Sequence, residues 1–417
     1  MPNSYLIVNA EVFDGTGSPS APAEVLVEGD RIVAVESHVD DARRQDAQII
    51  DGRGATLMPG LIDGHTHLGF GSTVEHTSPR TEPDEEKVLL IAHCGRVMLD
   101  HGFTSVYSGG NRMPQAEVSA RKAFAEGWMP GPRLLATSWE GSAGLVSPGH
   151  YDFPGIENRP SDPESISQFV HAMADIGVNM VKLSLSGESA VVAGTSRVLQ
   201  FTDEEVAAAA EAAQQRGVWL TAHAHSAEAI QLALKYGVRA IYHVTFADDE
   251  TIDLMIEAKD RIFVAPTPGI IYALLHDEEH PPTEGMETQE THDSVRQVVP
   301  KLHAGGVRLV PGGDYGFAVN PIGKNARDLQ LFVEWFGFTP HEALRAATQY
   351  GGQLMNMGDE LGLVRPGYIA DLLLVDGDPT SDVTLLQNKD NLAMIMTGGS
   401  LYKIDPSRRT TAVAVGA

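Results

Sequence analysis

The chain has 417 residues, with 30 Lys+Arg against 56 Asp+Glu for a formal net charge of −26, and is 42% hydrophobic and 21% charged. At roughly 100–200 residues per domain this predicts two to three domains, and the one cysteine, Cys94, excludes a small disulfide scaffold. The acidic excess disfavours nucleic acid and anionic membranes as partners, no apolar run approaches the ~18 residues of a membrane span, and the N-terminus lacks the pattern of a signal peptide, so a soluble, cytoplasmic protein is expected.

Residues 4–57 read as short strands in which Val and Ile alternate with polar residues and Asp-Gly or Gly-Asp pairs mark turns, which predicts a small antiparallel sheet. From residue 59 to about 353 short apolar runs alternate with helical stretches, the rhythm of parallel strands joined by helical crossovers. The runs are 61–63, 105–107, 133–137, 180–183, 218–222, 240–242, 262–265 and 308–311, and eight is the number that closes a (β/α)8 TIM barrel. Thr202 with Glu205 predicts a capping box, and Thr339-Pro340 with Glu342 a second helix start. Residues 362–403 return to strand-and-turn character. The expected architecture is α/β: a barrel over 58–361, a small β-sandwich domain made from 1–57 and 362–405, and a frayed tail at 406–417.

Most of the 16 histidines need no function; His38, His76, His93, His101, His171, His292, His303 and His341 read as surface or satisfied core residues. The informative ones stand at the C-terminal ends of the apolar runs, the barrel face that carries active sites. His65 and His67 are two apart at the end of the first run and can point to one face; His223 and His225 repeat that spacing at the fifth, His243 closes the sixth, and Asp314 follows the eighth. Together they make a mixed nitrogen and oxygen donor set suited to zinc. Lys182 lies inside the fourth run, where an ammonium is costly to desolvate. Either it pairs with a carboxylate, or CO2 converts it to a carbamate able to bridge two metal ions.

These motifs resemble those of the metal-dependent amidohydrolase superfamily. The resemblance runs through Pro59-Gly60-Leu61-Ile62-Asp63-Gly64-His65-Thr66-His67, Val181-Lys182, Thr221-Ala222-His223-Ala224-His225, Gly312-Gly313-Asp314, Pro366-Gly367 with Ile369-Ala370-Asp371-Leu372, and Asp378-Pro379. It is nearest to the branch of imidazolonepropionase and prolidase-type dipeptidases. The resemblance implies a binuclear hydrolase of amide-type C–N bonds with two divalent ions, zinc foremost and cobalt, manganese or iron as alternatives. His65, His67 and Asp314 would hold one ion, His223 and His243 the other, and carbamylated Lys182 would bridge them. Asp314 would shuttle the proton, while His225 and Tyr315 would assist at the oxyanion. Two departures bear on the substrate: Tyr242-His243-Val244 stands where many of these peptidases read Glu-His-Gly, and His225 where they often have Tyr.

His150, Tyr242, Tyr315 and Arg112 are further candidate substrate contacts, and residues 267–288 a candidate lid, with His276 and His280 in it read as solvated. The expected substrate is a small-molecule amide such as an N-acyl amino acid, peptide-like compound or aryl amide, and the expected assembly a homo-oligomer. Alternatives are hydrolysis of a cyclic amide, carbamate or urea, a mononuclear deaminase, which would not need Lys182, and a scaffold that has lost catalysis.

Overall fold

The computed structural model describes residues 4–45, 47–72, 83–111, 113–141, 162–189, 192–278 and 287–410. The expected parallel strands form where the apolar runs lie. Leu61–Thr66, Phe103–Ser108 and Arg133–Leu135 pair in parallel as one sheet; Thr137–Gly141, Met180–Ser184, Trp219–Ser226, Ala240–Phe246 and Phe263–Ala265 pair in parallel as another. Only Ala136 separates the two sheets along the chain, so one continuous stretch pairs with a different neighbour through each half.

The eighth run, 308–311, is not a full strand, because Pro311 lacks an N–H and two glycines follow. It still spans its neighbours: the Val264 N–H donates to Arg308 O (3.0 Å), Val310 N–H to Val264 O (2.9 Å) and Gly64 N–H to Pro311 O (2.7 Å). Ile62, Tyr107, Met180, Tyr242, Phe263, Val310 and Leu354 pack as one buried cluster. A larger cluster fills the space between strands and helices. Both predicted helix starts form capping boxes, at Thr202 with Glu205 and at Thr339 with Glu342.

Both chain ends meet in a nine-stranded sheet among the described residues. Thr56–Pro59 pairs with Leu372–Val375 antiparallel, which joins the two ends. The predicted purely antiparallel N-terminal sheet is corrected to a mixed one: Ser4–Val12 runs parallel to Gln48–Asp51 and to Thr56–Pro59. The reason is the connection, since the chain returns through a separate hairpin and a short helix at Asp41–Arg44 instead of a tight turn. The tail is also corrected: Arg409–Thr410 pairs with Gln48–Asp51, and buried Arg408 bonds Asp376 and Gly52 O. Residues 411–417 lie outside the described residues.

Candidate active site

The strand ends bring His65, His67, Lys182, His223, His225, His243 and Asp314 together, none more than 8% exposed. Glycine makes the approach possible. A Cβ on Gly109 would stand 2.0 Å from the His65 ring and one on Gly312 2.6 Å from the His65 backbone nitrogen. Asp314 is carried on a turn in the left-handed region at φ 62°, held by Asn320, whose amide donates to Gly313 O (2.9 Å) and Asp314 O (3.1 Å).

His67 Nδ1 faces Gly110 O at 2.9 Å and Nε2 faces Asp314 Oδ1 at 2.7 Å. A carbonyl only accepts, so Nδ1 carries hydrogen, and a neutral ring then turns a bare lone pair toward a carboxylate. A proton on Nε2 or a cation held by both groups resolves that conflict. His223 Nε2 is likewise taken by Gly187 O (3.1 Å), leaving Nδ1, and His243 Nδ1 is taken by Thr267 Oγ1 (2.8 Å). The remaining His243 Nε2 is buried with no hydrogen-bond partner among the described residues. Burial holds His65 and His243 well below the usual imidazole range, and burial followed by the charge of His225 brings His223 down to about 4. All three are neutral near pH 7, the form that coordinates a metal. Burial acts against ionised Asp314, but His65, His67 and Lys182 hold its carboxyl well below the usual range.

Two trios have ligand atoms within 4.8 Å of one another, His65–His243–Asp314 and His223–His225–His243. His243 belongs to both. His67 falls outside them while touching Asp314, and His225, expected on the substrate side, falls inside. These donors fit a divalent metal. Lys182 Nζ lies between the groups, donating to Gly109 O (2.8 Å), 3.5 Å from His65 Nε2 and 3.6 Å from Glu140 Oε1.

Two expected substrate contacts stand elsewhere. Tyr242 is fully buried one layer below, its ring stacked on His65 at 3.9 Å with Lys182 Nζ 4.4 Å above its face, because its side chain joins the interior cluster. The Tyr315 hydroxyl is buried and donates to Asp328 Oδ1 (2.8 Å), which commits it away from an oxyanion. His150, Arg112, His76 and His280 lie outside the described residues. Of the lid stretch, 279–286 is outside them too, and Pro268–Leu275 is a helix.

A cleft of about 440 Å³, counting space open to solvent, sits over these groups. His225, His243 and Asp314 line one part, Ile270, Ile271 and Leu274 another, with Glu188 at the side. Glu188 Oε2 meets His225 Nε2 at 3.2 Å, and Thr245 Oγ1 meets its Nδ1 at 2.7 Å. Sequence reasoning missed Glu140, Glu188, Thr245 and Thr267; Glu140, Thr245 and Thr267 stand at or just past strand ends, the one signal that could have found them. Asp328, whose Oδ2 accepts from the Gly312 N–H (2.8 Å), had none.

Residues 56–402 match the amidohydrolase family. The chain is 27% identical over 424 residues to ochratoxinase of Aspergillus niger, covering 94% of this chain and 85% of that one. It is 23% identical over 423 residues to imidazolonepropionase of Rubrobacter xylanophilus, covering 91% of each. Among solved structures, a Xaa-Pro dipeptidase with methionine bound in its active site superposes with a TM-score of 0.83 at 26% identity, over 96% of this chain and 100% of that one. Such neighbours imply a TIM-barrel-like domain, in keeping with the parallel strands. The histidine and aspartate groups, the cleft above them and the match across most of the length agree: this chain belongs to the amidohydrolase family and is a hydrolase acting on carbon–nitrogen bonds.

Proposed function

We propose that the protein is a binuclear metal-dependent hydrolase cleaving the C–N bond of an amide, with N-acyl amino acids, peptide-like compounds and aryl amides as its substrate class. The observation that carries this reading is Lys182, 1% exposed and set beside two donor trios that share His243. Cations bound there would lower the pKa of water and polarise a carbonyl. His65, His67 and Asp314 would hold one, His223 and His243 the other, and zinc suits the donors best, with cobalt, manganese and iron compatible. As a neutral amine Lys182 can add CO2 and release a proton, leaving a carbamate whose nitrogen keeps one hydrogen for Gly109 O.

Asp314 takes the proton of the attacking water and returns it to the leaving amine, as base and then acid. His225, whose two ring nitrogens meet Thr245 and Glu188, would line the substrate side of the cleft. Tyr315 supports the Asp314 turn through Asp328 instead of touching substrate. The chain would act as a homo-oligomer in the cytoplasm, with a closed (β/α)8 barrel over 58–361 and both chain ends folded as a sandwich.

Elemental analysis should return two ions per chain, and a panel of N-acyl amino acids, dipeptides, anilides and carbamates should show amide hydrolysis. One ion would favour a mononuclear deaminase and none a scaffold. Lys182→Ala should lose most metal and activity, with partial rescue by short carboxylic acids; full metal content and rate in that variant would remove the bridge.

A further inference from the structure

The helix Pro268–Leu275 carries no charged side chain and turns Ile270, Ile271 and Leu274 into the cleft. It is latched to the site at its start. Thr267, left-handed at φ 52°, holds His243 through its hydroxyl at 2.8 Å. The Ile270 N–H donates to Gly313 O at 2.8 Å, one residue from Asp314. Gly269 packs so closely that a Cβ there would stand 2.5 Å from the Tyr315 hydroxyl and 2.9 Å from Asp328 Oδ1. This apolar wall is therefore fixed relative to both His243 and the Asp314 turn, and a fixed wall is what allows shape to discriminate between substrates.

We propose that Ile270, Ile271 and Leu274 form a subsite for a branched aliphatic or aromatic group on the amine half of the substrate. The inference rests on the amide-hydrolase reading above. In that reading Asp314 serves the leaving amine, and the turn bearing Asp314 is bonded directly to this helix. The group on the amine nitrogen is then the one that meets the wall, while the carbonyl lies toward the histidines. Apolar contact of this kind discriminates by about 10–200-fold in kcat/KM.

The test uses matched amides: one acyl half joined to a bulky apolar amine or to methylamine, and the converse pair with the bulky group on the acyl half. The full-length, metal-loaded enzyme should favour the bulky amine by at least about tenfold. Leu274→Ala should lose at least about tenfold more on the bulky amine than on methylamine, chiefly through KM, with metal content retained. Ile271→Val keeps a branched side chain, should shift selectivity the same way by less, and carries the comparison if Leu274→Ala does not fold. Equal losses on both amines, or a preference that follows the acyl half, would overturn the subsite. Metal-loaded protein that hydrolyses no amide of either pair would overturn the parent reading and this inference with it.

Discussion

His243 and Val244 are consecutive residues in the left-handed region, at φ 74° and 51°. A β-branched side chain rarely tolerates that conformation, which costs about 1–2 kcal/mol, and here it is held by complete burial of Val244. Many of the peptidases that the chain resembles carry glycine at this position. Val244→Gly and Val244→Ala both lose most of the buried side chain, yet only glycine relieves the backbone. The glycine variant should therefore be the more stable of the two by about 0.5–1 kcal/mol, since the gain exceeds the extra chain entropy glycine loses on folding. Denaturant unfolding of the pair decides it, and a more stable alanine variant would place the strain elsewhere. Across the site, Asp314→Asn keeps one coordinating oxygen but cannot take up a proton at the working pH. Metal should largely remain while kcat falls by at least ~10²; a near-wild-type rate would remove Asp314 from proton transfer.

Among elements, the helix Arg327–Phe336 has the largest hidden influence on the site. Its buried Asp328 ties down the Asp314 turn on both sides, through the Gly312 N–H and the Tyr315 hydroxyl. Burial, with the charge of Asp63 adding to it, pushes the Asp328 carboxyl up to about 8 from an ordinary 3.8. The folded protein thus keeps a proton that the unfolded chain releases. The stability this group contributes is complete below about pH 4 and is lost as pH rises toward about 8. Asp328→Asn mimics the protonated acid and has no such dependence. Its melting temperature relative to wild type should climb between about pH 4 and pH 8 and level off above, and a difference that stays constant with pH would show that Asp328 is ionised in the fold.

At the scale of the whole molecule, the terminal sheet is the support of the first site strand. Thr56–Pro59 sits in the nine-stranded sheet and, after Gly60 alone, the chain becomes Leu61–Thr66 with His65 near its end. Gly60 N–H donates to Asp371 O (2.9 Å), and a Cβ on Gly60 would fall 2.1 Å from Thr104 Oγ1. Sheet and site are thereby mechanically joined across that glycine. A chain ending at Gly367 lacks Leu372–Val375, the antiparallel partner of Thr56–Pro59, and exposes its pairing edge. It should unfold at lower temperature and retain less metal than the full chain. Unchanged metal content would mean that the parallel-strand domain sets its own first strand.

Patterns with a local cause could be read from sequence. Strand rhythm and the two capping boxes depend on side-chain periodicity and hydrogen bonds within a few residues, and each is present as expected. Which face of the site a residue occupies depends on neighbours far along the chain. Tyr242 belongs beneath His65 because the interior cluster claims its ring, and Tyr315 is taken by Asp328 on a later helix. The apolar wall of Pro268–Leu275 meets Asp314 across more than forty residues of chain, through the Ile270–Gly313 hydrogen bond. The sequence by itself determined the succession of apolar runs along the chain and the types of candidate metal ligand, because these follow from local spacing. Tertiary structure alone decided which of those residues come within reach of one another and which surfaces line the cleft, because burial and hydrogen-bond partners are assigned only when distant segments pack together.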